Sequence, residues 1–131
     1  MHGLAQVGVW VDEVTAALGL PPNAEYALRL CTEEAVANVV MHGEAAHEGN
    51  VAHVALHLQA DPELLRVTIE DDCAEFDPLN VPVPAQLARL EDARVGGLGI
   101  HLMRQYARTM EYQRLEGINR LTLTIALHGA K

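Results

Sequence analysis

The stretch TEEAVANVVMHG, Thr32 to Gly43, decides how the rest of the chain is read. Its apolar spacing predicts a helix, and at about 100° per residue Glu34 and Asn38 fall about 40° apart on one face. Ala27, Leu30, Ala37 and Met41 share that face, while Val36, Val39 and Val40 spread across the other side. A helix that is apolar nearly all round is normally buried. A buried, unpaired carboxylate costs several kcal/mol or shifts its pKa. Glu34 and Asn38, one turn apart in a core helix, therefore call for a reason.

Composition limits the answers. The chain has 131 residues, enough for one domain over 1–131 with its own core. Half of the residues are hydrophobic, which predicts folding rather than disorder. A net charge of −9 argues against unaided binding to nucleic acid or to an anionic membrane. No apolar run approaches the ~18 residues of a spanning helix. The start MHGLAQVGVWVDEV lacks the basic opening of a signal peptide. Cys31 and Cys73 are too few and too far apart to predict a disulfide framework or a CxxC metal site. A reducing, cytoplasmic setting is expected.

Periodicity then orders the elements. Leu4, Val7, Val11, Val14 and Leu18 recur at helical spacing, and Gly19, Pro21 and Pro22 end that helix. Asn23 is the expected N-cap of the second helix, which should run to about Met41, with GEAAHEGN as a loop. VAHVALHLQA and ELLRVTIED alternate as the strands of an antiparallel hairpin around a DP turn. CAEFDPLNVPVP carries three prolines and should be irregular, with a short helix near Gln86 to Glu91. GGLG leads into a predicted helix, IHLMRQYARTM, with Ile100, Met103, Tyr106 and Ala107 on one side. EYQRLE and NRLTLTIAL read as two closing strands joined by a tight turn at Gly117. Helix, helix, strand, strand, loop, helix, strand, strand is an α+β order, with helices expected on one face of a sheet.

Three features line up along this order. Glu34-x-x-x-Asn38 comes first, the acidic strand end IEDDCAEFDP second, and GGLGIHL third. Glycines ahead of a helix present backbone N–H groups and a favourable dipole to phosphate. An asparagine can give a neutral oxygen to Mg²⁺. A strand-end acid can accept from an exocyclic amine. Each piece alone has an ordinary alternative: a turn for the glycines, turn acids for Asp71 and Asp72, a solvent- or arginine-facing Glu34. In this order they predict a nucleotide site.

The combination resembles the anti-sigma factor serine-protein kinase family of the histidine-kinase-like (GHKL) ATP-binding superfamily. The first box, E-x-x-x-N, matches Glu34 and Asn38 and continues to a His-Gly pair at His42 and Gly43. The second, D-x-G followed by F-D-P, matches Asp71, with Cys73 at the glycine place, then Phe76, Asp77 and Pro78. The third matches Gly96, Gly97, Leu98, Gly99 and the residues to Leu102, and NRLTLTI resembles the family's ending. The resemblance implies a two-layer sandwich of a mixed, mostly antiparallel sheet with helices on one face, the Bergerat fold. It also implies ATP and Mg²⁺ as cofactors. Glu34 would be the general base and Asn38 the Mg²⁺ ligand. Asp71 would bind the adenine amine, the lid residues Gly96 to Gly99 the phosphates, and Thr122 the nucleotide. His42, Cys73 and Phe76 would complete the ATP site. The implied partners are a sigma factor and a small antagonist protein of the STAS-domain type, with a homodimer also in keeping with the family.

Two departures stand out. Cys73 and Glu75 replace the glycines of D-x-G-x-G, which predicts less backbone freedom and more bulk beside the purine. The first strand often seen before the first helix is absent or very short. Two functions compete: a kinase that phosphorylates the antagonist, and a sequestering module without efficient transfer. A sensor histidine kinase would need an upstream phospho-accepting hairpin, and a gyrase-like ATPase a transducer; neither is expected in these residues. Among seven histidines, His53 and His57 would share a strand face, but no third zinc ligand is fixed, so solvent-facing rings are the expectation. A thiol switch between Cys31 and Cys73 is the less favoured use of the cysteines. No G-x-x-x-x-G-K-[ST] occurs, which excludes a P-loop.

Overall fold

The computed structural model describes residues 2–47, 53–73, 75–80 and 97–127. Helices α1 (His2–Leu18) and α2 (Pro22–His47) come first, then the strands β1 (Val54–Ala60) and β2 (Leu64–Asp71). A 3-10 turn at Pro78–Asn80 precedes α3 (Gly97–Tyr106), β3 (Thr109–Leu115) and β4 (Ile118–Ala126). The sheet order is β1-β2-β4-β3, and every described pairing is antiparallel. Two local hairpins therefore join along a β2–β4 seam.

Strand alternation decides which face the helices cover. Leu65, Val67, Ile69 and Asp71 of β2 are buried, and their cross-strand partners are Ile125, Leu123, Leu121 and Asn119 of β4, also buried. Side chains two apart share a face, so these rows form one stripe, apolar until its last rung. Against it pack Val7 and Val11 of α1, Leu28, Cys31 and Ala35 of α2, and Ile100 and Met103 of α3. The result is the expected α+β two-layer arrangement, with helices on one face. The other face is polar: Arg120 Nε donates to Glu70 Oε2 at 2.6 Å, and His57 Nε2 lies 3.5 Å from Glu70 Oε1.

Element ends differ from the expectations in instructive ways. Pro22, not Asn23, opens α2; a proline fits a first helical position because its missing N–H has no intrahelical role there. That helix continues past Met41 to His47, so residues 43–47 are helical rather than loop. Helix α3 stops at Tyr106, four residues short of the predicted end. There Arg108 N donates to Thr124 O at 2.6 Å and Thr109 N to Thr124 Oγ1 at 3.1 Å, which draws the chain into β3. Ile100, Met103 and Ala107 are buried as expected, while Tyr106 is exposed and meets Tyr26 edge to face at 5.3 Å. The predicted short helix at Gln86 to Glu91 lies outside the described residues. No helix among the described residues is long and apolar enough to cross a membrane.

The punctuating glycines act as predicted. Gly19 (φ 64°) caps α1, with Gly19 N and Leu20 N both donating to Thr15 O. Asp61 Oδ1 closes the first hairpin by accepting from Glu63 N and Leu64 N, each at 2.8 Å. The second hairpin turns on Glu116 (φ 50°) and Gly117 (φ 82°), the two positive φ values of a type I′ turn. Glu116 pays part of the roughly 1–2 kcal/mol left-handed penalty that glycine avoids. Glu116→Asn should stabilise the protein by about 0.5–1 kcal/mol in urea titrations, and Gly117→Ala should destabilise it by about 1 kcal/mol. The opposite order would contradict the turn.

Candidate functional site

The last rung of the buried stripe is polar, and a pocket opens there. Its floor is Ile69, Asp71, Asn119 and Leu121 of the seam. Ala35, Asn38 and Val39 of α2 form one wall; Phe76 and Pro78 of the loop after β2 and Tyr112 of β3 form the other. A mostly apolar cleft with a few placed polar groups suits a flat heteroaromatic ligand.

Asp71 is held from two sides. Cys73 N donates to its Oδ1 at 3.0 Å, and Asn119 Nδ2 donates to the same oxygen at 2.8 Å. The Asn119 amide oxygen accepts in turn from Tyr112 Oη at 2.5 Å, Arg114 Nη1 at 3.1 Å and Phe76 N at 3.4 Å. Arg114 Nη1 also donates to Cys73 O at 2.7 Å, tying the loop to β3. Burial, then repulsion from Glu75, raises the Tyr112 hydroxyl above its usual range, so it stays a protonated donor at neutral pH.

On α2, Asn38 and Glu34 occupy different settings. Asn38 lies in the buried stripe and lines the pocket, and its Nδ2 is buried with no hydrogen-bond partner among the described residues. Oxygen and nitrogen of an amide are interchangeable by a flip, so either end of this group is available to a ligand. An orphaned buried amide costs about 1–3 kcal/mol unless something meets it. That fits a Mg²⁺–phosphate group, for which Asn38 would give the protein oxygen. Among the described residues no cluster of three His, Cys, Asp or Glu side chains is placed to hold a metal, so no all-protein metal cage competes with this. Glu34 sits half-buried on the shoulder of the helix, outside the pocket lining; burial, then Glu33, raises its carboxyl above the usual range.

The remaining sequence candidates divide. Phe76 lines the pocket with Asn38 and Asp71. Cys73 is buried beside Asp71 but does not line the pocket, and its φ is not positive, so nothing at this place demands glycine. Burial, then Asp71, pushes its thiol up to about 11, and burial, then Glu34, pushes Cys31 up to about 12. Both cysteines are free and poorly nucleophilic at neutral pH. Thr122 pairs with Thr68 on the polar face, opposite to Asn119 and Leu121, so it points away from the pocket. The β4 residues that line the pocket are Asn119 and Leu121. His42 lies on α2, Gly97, Leu98 and Gly99 form the first turn of α3, and Gly96 falls outside the described residues. His53 and His57 are exposed.

Sequence reasoning missed Asn119, Tyr112 and Arg114. For Asn119 a signal existed, since alternation back from Ile125, Leu123 and Leu121 lands on it. Tyr112 and Arg114 carried none, because their role depends on a cross-strand register.

The chain has relatives among known proteins. Residues 2–125 match the family model described as a histidine kinase-like ATPase domain. The serine/threonine-protein kinase BtrW of Bordetella bronchiseptica is 33% identical over 115 residues, spanning 88% of this chain and 80% of that protein. Among solved structures, the Acinetobacter baumannii histidine kinase AdeS superposes with a TM-score of 0.52 at 10% identity, over 80% of this chain and 48% of that one. That likeness concerns the fold alone, and this chain spans about half the AdeS chain. With a family match over nearly its whole length and a pocket closed by an acid at the end of β2, the chain belongs to the histidine kinase-like ATPase domain family.

Proposed function

We propose that this protein is an ATP-dependent serine/threonine protein kinase and anti-sigma regulator. Its substrate would be a small antagonist protein of the STAS type, and its other partner a sigma factor, in a bacterial partner-switching system. The observation that carries the reading is the pocket itself. An acid fixed as acceptor lies at its floor, and an unpartnered amide lies on the adjoining wall. The similarity to BtrW supports protein phosphorylation by such a site.

In this reading Asp71 accepts from the adenine amine, while Phe76 and Ile69 cover the ring. Asn38 supplies one oxygen to the magnesium ion, which when bound neutralises charge on the phosphates. Glu34 takes the proton of the incoming serine or threonine hydroxyl as that oxygen bonds to the γ-phosphorus and ADP leaves. Phosphoryl transfer asks the protein mainly for positioning and charge stabilisation. The place of Glu34 outside the pocket lining favours a second reading, a nucleotide-binding module that sequesters its partner without efficient transfer. Incubation with labelled ATP, Mg²⁺ and a STAS-type antagonist separates the two, since only the kinase puts label on a serine or threonine.

Asp71→Asn should weaken ATP binding at least tenfold in calorimetry, because a hydrogen bond to a charged acceptor contributes about 1.5–3 kcal/mol. Equal wild-type affinity for ATP and GTP, unchanged by the substitution, would remove adenine from the pocket.

Glu34→Gln should keep nucleotide binding and lower transfer by about 10²-fold, the low end for a general base. Its raised carboxyl adds a stability signature. A group that binds its proton more tightly when folded stabilises the fold below its unfolded pKa, and that contribution is lost as pH rises through the folded value. At pH 7 the charged side chain is therefore a burden. Glu34→Gln should melt higher than the wild type at pH 7, with the gap closing below pH ~4. Transfer at the wild-type rate would rule Glu34 out as the base.

A further inference from the structure

We propose that Asn119, locked in one orientation by Tyr112 and Arg114, is the positioning residue that fixes how Asp71 faces the ligand and so sets the purine preference of the pocket. The proposal rests on the reading of that pocket as an adenine site.

An asparagine amide can usually be turned over at little cost, because its two ends have the same shape. Here it cannot. The oxygen faces three donors: the Tyr112 hydroxyl at 2.5 Å, Arg114 Nη1 at 3.1 Å and Phe76 N at 3.4 Å. A hydroxyl could rotate to accept, but a guanidinium and a backbone N–H have no lone pair to offer. Turning the amide over would set its N–H groups against both. Nδ2 is thus obliged to point at Asp71 Oδ1, 2.8 Å away, in a buried setting where an unmet donor is costly.

The lock follows from the sheet. Arg114 and Asn119 are direct cross-strand partners, and so are Asn119 and Asp71, so three adjacent strands place the three side chains in one line. The same arginine nitrogen reaches Cys73 O at 2.7 Å, and Cys73 N gives Asp71 its second donor. Two N–H groups hold Oδ1, which fixes the orientation of the carboxyl group and leaves Oδ2 to a ligand. A carboxylate oxygen held in that orientation favours a base edge bearing an amine over one bearing a carbonyl. Site chemistry of this kind discriminates strongly, because the wrong edge leaves buried polar groups unpaired.

The charged and titratable groups of this cluster are Asp71, Asp72, Cys73, Glu75 and Asp77 on the loop side and Tyr112 and Arg114 on β3. Helix α2 contributes the neutral Asn38 to the pocket.

The test compares wild type, Asn119→Asp, Asn119→Ala and Arg114→Gln by calorimetry with Mg-ATP and Mg-GTP from pH 6 to 8, alongside Asp71→Asn. Asn119→Ala should lower ATP affinity about tenfold and GTP affinity less, narrowing the preference. Asn119→Asp sets two carboxylates where one proton must be shared. Its ATP affinity, relative to wild type at the same pH, should rise as pH falls. Arg114→Gln keeps a side chain that can donate a hydrogen bond from this half-buried position, and should narrow the preference in the same direction. Equal losses for ATP and GTP with no pH dependence would make Asn119 merely structural and overturn the proposal. Unchanged affinities in all three variants, with wild type still selecting ATP through Asp71, would overturn it and leave the adenine reading intact. Failure of wild type to bind adenine nucleotides, or indifference to Asp71→Asn, would overturn both.

Discussion

The hydrogen bond from Asn119 to Asp71 marks the place where a hydrophobic core turns into a binding site. On the helix-covered face of the β2–β4 seam each rung is a pair of apolar side chains until this one. A polar pair buried at mid-seam would cost more than it returned, because its remaining hydrogen-bonding capacity would go unmet. At the end of the seam that capacity faces a cleft. On the helix above, the buried stripe through Ala27, Leu28, Cys31 and Ala35 reaches Asn38 over the same opening.

Much of this was legible in the sequence because it is local. Period-2 alternation gave both hairpins, while Gly19 marked the end of α1 and Gly117 the second hairpin turn through positive φ. The pair Glu34 and Asn38 announced itself as polar residues on a core helix. What was not legible depends on partners distant in sequence. The end of α3 is set by Thr124, fifteen or more residues downstream, and the length of α2 exceeds what its apolar spacing required. Thr122 was chosen by resemblance, while strand parity, which the sequence does contain, points to Asn119. Arg114 looked like any exposed strand cation until the register set it opposite Asn119.

Glu34 and Asn38 share a helix turn but divide two kinds of strain between them. One is a carboxyl whose charge the fold disfavours, and the other an amide whose hydrogen bond the fold does not supply. Both are departures from what stability alone would select. Departures at two residues one helix turn apart, beside a pocket, are what a functional site leaves in an otherwise consistent fold.

The sheet order β1-β2-β4-β3 also bears on how the protein assembles. Each hairpin can zip from its own turn, since its strands are neighbours in sequence. The seam between them cannot, because Asp71 and Asn119 are 48 residues apart along the chain. Closing so large a loop has an entropy cost that must be met before the contacts reward it, which makes such pairings late in folding. The pocket floor therefore exists only once the two hairpins have met. Ligand binding would select molecules in which assembly is complete, and a partly folded chain with both hairpins formed would present nothing for the ligand to recognise.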